Sequence, residues 1–224
     1  MTQKILISSQ SNKFSKLPLW AADNGIELIW EPFITNTPVD FEPPLAQHYQ
    51  WVFFSSANAA KIVLQRQHRS TFEGKKLAAL SQGTAKAVQS LGFTCSYIGQ
   101  GTVDHISSHF KQVLQSNKVW FPISNISRKT VQAQLTTNSY FDTIVYKTED
   151  RTSKLNLNDF EGLVILTSPS NALSYLQQTR VLKNKLYIAF GKSVYFTLQR
   201  SGIESVTPID YSQDSLLELI KSLQ

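Results

Sequence analysis

The sequence predicts an α/β fold of two parallel-sheet lobes, the middle lobe inserted into the first, and three observations point to it. Short apolar runs alternate with longer segments of helical period, as strands and helices do in a parallel sheet covered on both faces. Motifs from the first half of the chain recur in the second in the same order. Two polar, extended stretches interrupt the alternation, neither at the middle of the chain.

In chain order, strands are expected at Lys4–Ile7, Glu27–Trp30, Trp51–Phe54, Leu77–Leu80, Ser96–Ile98, Lys118–Phe121, Thr143–Tyr146, Leu163–Leu166, Leu186–Phe190 and Ser205–Val206, where short apolar runs fall. Helical segments fill most of the intervals. Gly25, Gly92 and Gly202 each follow a helical segment and precede an apolar stretch, where a left-handed C-cap suits glycine. The longest apolar runs fall far short of the ~20 residues that cross a bilayer, so no membrane span is expected.

Phe54-Ser55-Ser56-Ala57-Asn58-Ala59-Ala60 is echoed by Leu166-Thr167-Ser168-Pro169-Ser170-Asn171-Ala172: an apolar strand end, two hydroxyl residues and a helix start. The stretch from Leu77 through Ser81-Gln82-Gly83-Thr84 to Leu91-Gly92-Phe93 is echoed by the one from Tyr187 through Gly191-Lys192-Ser193-Val194 to Ser201-Gly202-Ile203. A weaker third echo sets Lys4-Ile5-Leu6-Ile7 against Lys118-Val119-Trp120-Phe121. A repeat this long is not a solenoid and reads as a duplicated domain. Chance likeness of short α/β units is the plainer alternative.

The stretches around Ile34-Thr35-Asn36-Thr37-Pro38 and Lys147-Thr148-Glu149-Asp150-Arg151-Thr152-Ser153 suit two connecting strands. The expected division is residues 1–34 plus 149–224 for a discontinuous first lobe and 35–148 for the inserted one. The connectors lie near 33–38 and 146–152.

A net charge of +6 favours a negatively charged partner. Lysines and arginines are scattered in ones and twos without interleaved aromatics, which argues against nucleic acid. The single cysteine, Cys95, excludes an internal disulfide and suits a cytoplasmic protein. It is expected to begin a buried strand and to be inert. No signal-peptide pattern is seen. His105 and His109 lie four apart on an expected helix, but with no third ligand and no HExxH pattern they predict a solvated face and no metal. Gly99-Gln100-Gly101-Thr102 lacks the rest of a nucleotide loop and reads as a turn. There is no Gly-x-Ser-x-Gly elbow.

Functional loops of parallel sheets gather beyond the carboxyl ends of the strands, where helix N-termini present unpaired N–H groups. Ser55-Ser56, Gln82-Gly83-Thr84, Thr167-Ser168 and Lys192-Ser193 are expected at such junctions. Each alone is an ordinary N-cap. Together they would line both walls of a cleft between the lobes, suited to carboxylates or phosphates. Tyr146 ends a strand before the return connector, either as hinge packing or as a phenol able to donate a proton. Arg128 is expected to head a helix after Pro122-Ile123-Ser124-Asn125-Ile126-Ser127, to pair with an anion or to cap a surface.

The ordered set Phe-Phe-Ser-Ser-Ala-Asn-Ala ending at Ala59, Leu-Ser-Gln-Gly-Thr-Ala ending at Ala85, Trp-Phe-Pro ending at Pro122, Val-Tyr-Lys-Thr ending at Thr148, Leu-Thr-Ser-Pro-Ser-Asn-Ala ending at Ala172, and Ala-Phe-Gly-Lys-Ser ending at Ser193 resembles the uroporphyrinogen-III synthases. The likeness runs from about Ile5 to Leu219. It implies two flavodoxin-like lobes joined by a two-stranded connector, in a monomer. It also implies a cofactor-free cyclising lyase of tetrapyrrole (heme) biosynthesis. Hydroxymethylbilane, a linear tetrapyrrole octa-acid, would close to uroporphyrinogen III with inversion of ring D and loss of water. The implied path runs through an azafulvene and a spiro intermediate.

Tyr146 matches the family tyrosine that assists the departing hydroxyl, and Ser56, Thr84, Ser168 and Ser193 match hydroxyls facing the family's cleft. Three departures stand out. Ile7 leads into Ser8-Ser9-Gln10 where Thr-Arg is usual, Ser81 replaces the glycine of a Gly-x-x-Thr turn, and Gly191-Lys192-Ser193-Val194 lacks consecutive threonines. The first two motivate a rival reading, a non-catalytic synthase-like domain that binds a tetrapyrrole or another polyanion.

Overall fold

The computed structural model describes residues 3–10, 13–180 and 185–223. The chain divides into two compact units, the first formed by Met1–Thr35 with Glu149–Gln224 and the second by Asn36–Thr148. The strands, in chain order, are β1 (Lys4–Ile7), β2 (Glu27–Trp30), β3 (Ile34–Pro38), β4 (Trp51–Phe54), β5 (Lys76–Ala79), β6 (Cys95–Ile98), β7 (Val119–Ser124), β8 (Tyr140–Asp150), β9 (Gly162–Leu166) and β10 (Lys185–Ala189). The helices are α1 (Leu17–Asp23), α2 (Ala57–Arg66), α3 (Gln82–Gln89), α4 (Val103–Leu114), α5 (Pro169–Gln178), α6 (Lys192–Arg200) and α7 (Gln213–Ser222).

In the first unit the strands stand in the order β10-β9-β1-β2, all parallel. Ile188 of β10 adds a single parallel bridge to Val206, which is all that forms where a strand over Ser205–Val206 is expected. Numbered within the unit from β1, and counting Val206 as the fifth, the order is that of flavodoxin. The second unit has the order β3-β8-β7-β4-β5-β6, with β8 through β6 parallel. Laid side by side, β2, β1, β9, β10 and Val206 correspond to β8, β7, β4, β5 and β6. All three sequence echoes fall on corresponding strands, so the second unit is the same arrangement entered at a different strand.

Alternation along the strands builds a core on each face of each sheet. Val52 and Phe54 join Ala59, Ala60, Val63 and Val88 from α2 and α3, while Trp51 and Phe53 join Ile106 and Phe110 from α4. In the first unit Leu6, Val164 and Leu166 pack with Ala172, Tyr175, Val194 and Leu198 from α5 and α6. Ile5, Ile7 and Ile165 pack with Leu17, Leu216 and Ile220 from α1 and α7. Each unit is thus three layers, helix, sheet and helix. Phe53 is fully buried against Phe110 and Phe121, and truncating such a ring to alanine costs about 3–5 kcal/mol.

The helices begin and end for local reasons. Ser56, Ser81, Thr102, Ser168 and Ser212 each cap the helix that follows, the side-chain oxygen accepting an amide from its first turn. Gly92 and Gly202 close α3 and α6 at φ of 79° and 72°. The bonds are equivalent: Phe93 donates to Val88 O as Ile203 does to Leu198 O, the arrangement that a left-handed glycine permits.

One expected helix does not form. After β7 the chain enters an irregular loop, followed by 3-10 turns at Gln132–Gln134 and Thr137–Ser139. Arg128 therefore sits exposed in a loop and heads no helix. Lys129 takes a positive φ of 50°, and short polar side chains here bond their own backbone, as Ser139 does to Thr136 O at 2.7 Å, in competition with helix.

Candidate functional site

The predicted junction residues stand at the carboxyl ends of the two sheets, and each unit presents its own set. In the second unit, Ser55 and Ser56 link β4 to α2. Ser56 Oγ accepts the Ala59 amide at 3.1 Å and lies 3.0 Å from the phenol oxygen of Tyr146. Tyr146 reaches this position because β8 runs beside β7, its backbone in register with Ser124 at the end of that strand. Its ring belongs to the core, and the residue is only 7% exposed. Asn125 fixes this part of β8 further: its Oδ1 accepts the Thr148 amide at 2.7 Å, and its backbone N–H donates to Tyr146 O. Asn125 carries no motif, and its role is set by a partner far along the chain.

At the end of β5 the cap of α3 is Ser81, whose Oγ accepts the Thr84 amide at 3.3 Å. Thr84 is buried, with its hydroxyl 3.2 Å from Ser81 Oγ. The surface of this turn is made by Ser81, Gln82 and Gly83. Replacing glycine by serine at position 81 thus supplies a cap and leaves the helix N-terminus in place. Arg128 is exposed and forms no ion pair among the described residues, whereas its neighbour Lys129 pairs with Asp142 at 2.9 Å. That carboxylate raises the Lys129 pKa.

In the first unit, Thr167 and Ser168 link β9 to α5. Thr167 is tied to β1: its amide donates to Ser8 Oγ at 2.8 Å and its hydroxyl to Ser8 O at 2.8 Å. Ser168 Oγ caps α5 by accepting from the Asn171 backbone and side-chain amides. Lys192 and Ser193 form the exposed first turn of α6. That helix has no side-chain cap, because Gly191 at φ 140° stands at its head. The Val194 amide donates to Gly191 O at 3.0 Å, and the amides of Lys192 and Ser193 are left for an acceptor among the described residues.

Lys13, which carries no recognisable motif, stands at the same edge, with its Nζ donating to Thr167 O at 3.4 Å. Burial of its amine lowers the pKa from 10.5 to about 8. Each sheet edge by itself offers hydroxyls, a helix N-terminus and a cation, groups that suit carboxylates.

Other features fall away from these edges. A concavity of about 760 Å³ lies at the opposite, amino-terminal edge of the first sheet, lined by Lys4, Glu27, Asn156, Asp159 and Phe160 among others. Its size is no guide, since the helix N-termini point elsewhere. His105 bonds the Gln100 carbonyl, and no group of three metal-ligating side chains occurs among the described residues. Burial raises the Cys95 pKa, which disfavours the reactive thiolate. Among the described residues no helix is long and apolar enough to cross a membrane.

A family model described as uroporphyrinogen-III synthase HemD matches residues 19–218. A putative uroporphyrinogen-III synthase of Archaeoglobus fulgidus is 22% identical over 231 residues, covering 98% of each chain. The crystal structure of uroporphyrinogen-III synthetase from Helicobacter pylori is similar at a TM-score of 0.71 and 18% identity, over the whole of both chains. A mutant uroporphyrinogen III synthase from Thermus thermophilus is similar at 0.72 and 12% identity, over 100% of this chain and 99% of the other. At these identities the two structures speak for the fold.

Proposed function

The chain belongs to the uroporphyrinogen-III synthase family, and we propose from that premise that it closes hydroxymethylbilane to uroporphyrinogen III, inverting ring D and releasing water. The family match over residues 19–218 is the observation that carries this reading. The chemistry of the two sheet edges supports it, because an octa-acid needs many anion-binding groups and no single strong catalytic motif.

The substrate's hydroxyl departs as water once it gains a proton. Tyr146 supplies that proton, with Ser56 holding the phenol in place. Ser56 Oγ already accepts the Ala59 amide; when its own hydrogen points to the phenol oxygen, the phenol hydrogen is free for the substrate. The carboxylate arms are held by the turns at Ser55, Ser56, Gly83 and Thr84, by Arg128, and by Thr167, Ser168, Lys192 and Ser193. Thr84, being buried, acts through its turn. Thr167 contributes less through its hydroxyl, which is engaged by Ser8. Positioning then favours closure of the inverted ring over the uninverted product.

We read the protein as a cytoplasmic monomer: a single cysteine suits a reducing compartment, and a solution mass near 25.3 kDa tests the monomer. The non-catalytic rival rests on Ser81 and on Ser8-Ser9-Gln10; against it, Ser81 caps α3 and Ser8 Oγ holds the Thr167 amide, so both junctions keep an ordered helix start. The experiment is to supply hydroxymethylbilane to the purified chain and separate the isomers formed.

A further inference from the structure

We propose that Lys13 grips a carboxylate of the substrate at the carboxyl edge of the first unit's sheet. The inference rests on the reading of the substrate as a poly-carboxylate. It starts from where the loop between β1 and α1 puts one amine. Lys13 Nζ lies 5.6 Å from the centre of the Phe190 ring, at the end of β10, and 5.7 Å from that of Phe14. It donates to Thr167 O, at the end of β9. The ends of β9 and β10 therefore meet at this ammonium, and two aromatic faces and a carbonyl hold it in place. The residue is nevertheless exposed. One carbonyl uses one of the three N–H groups, and two remain for a ligand.

The surrounding charges leave Lys13 unpaired. Lys16, three residues on, is held by Asp214 of α7 at 2.7 Å. Asp210 accepts from the Ser212 amide, which lowers its pKa. Tyr211 sets its ring against Phe190, Lys192 heads α6, and Glu31 follows Trp30, whose ring meets Phe14. Among the described residues no carboxylate is ion-paired with Lys13. Lys4 and Lys129, by contrast, are paired, with Glu27 at 3.1 Å and Asp142 at 2.9 Å. An oriented, solvent-reachable and unpaired ammonium beside the open N-terminus of α6 is the group a carboxylate arm would meet.

Because burial alone brings its pKa to about 8, Lys13 is mostly charged at pH 7 and loses its charge as pH rises through 8. Substrate affinity should fall in the same direction. The test is steady-state kinetics of uroporphyrinogen III formation from pH 6.5 to 9.5 with the wild type, Lys13→Met and Lys13→Arg. Loss of one charge-assisted bond is expected to raise KM about tenfold in Lys13→Met while kcat changes little. The fall in kcat/KM above pH 8 should disappear in that variant. Lys13→Arg should restore KM and hold it to the highest pH.

If Lys13→Met leaves KM unaltered, or if Lys13→Arg neither rescues KM nor moves the alkaline limb, Lys13 does not bind substrate. A wild type that yields only the type I isomer overturns the functional reading itself, and Lys13 with it. The two failures are read from different samples.

Discussion

The phenol of Tyr146 and the hydroxyl of Ser56 lie 3.0 Å apart, joining the eighth strand to the cap of the second helix. The pair couples an element of stability to a proposed proton donor. Tyr146→Phe keeps the ring in its core and removes only the hydroxyl. It should slow ring closure several-fold without abolishing it, since water or a substrate carboxylate can also deliver the proton. Ser56→Ala should lower stability by about 1 kcal/mol through loss of the cap. If the two act as one unit, the double variant is no slower than the worse single one. Single-turnover rates decide this, and multiplying effects would separate the pair.

Gly99 follows β6 with its amide on Ala79 O at 2.8 Å. A Cβ placed there would lie 2.5 Å from the Leu80 carbonyl oxygen and 2.9 Å from Ile106. The glycine serves a close approach between a strand end and the helix after it. Gly99→Ala should cost about 1–3 kcal/mol, the range for forced overpacking. Urea unfolding with an unchanged midpoint would contradict that.

The hydroxyl of Tyr49 is buried with no hydrogen-bond partner among the described residues, while its ring packs 5.6 Å from Trp120 and lies beneath the Lys75 amine. Removing an unsatisfied hydroxyl relieves its desolvation cost. Tyr49→Phe should therefore be neutral or stabilising by up to about 1 kcal/mol, with the isomer product unaltered. A loss of stability on thermal melting would show that this hydroxyl has a partner.

Much of the fold was legible because it is written locally. Runs such as Trp51–Phe54 are buried on both faces and can hardly be anything but central strands of a covered sheet. Glycines at 92 and 202 mark helix ends through their own backbone preference. The segment between β7 and β8 was not legible, since its geometry depends on Asn125 bonding Thr148, a partner 23 residues away.

The junction residues could be placed at strand ends from the repeated hydroxyl pairs. Which hydroxyl faces out could not be placed, because Ser81 takes the cap and buries Thr84. Lys13 escaped notice for the same reason as Asn125: its significance lies in Thr167 and Phe190, more than a hundred and fifty positions on.

The central claim is the fate of ring D, and it is tested most directly by the isomer ratio. Freshly made hydroxymethylbilane, incubated with the purified chain and then oxidised and separated as porphyrins, should give predominantly the type III isomer, with type I confined to the level of an enzyme-free control. A ratio indistinguishable from that control would contradict the assignment of this chain as a cyclising synthase.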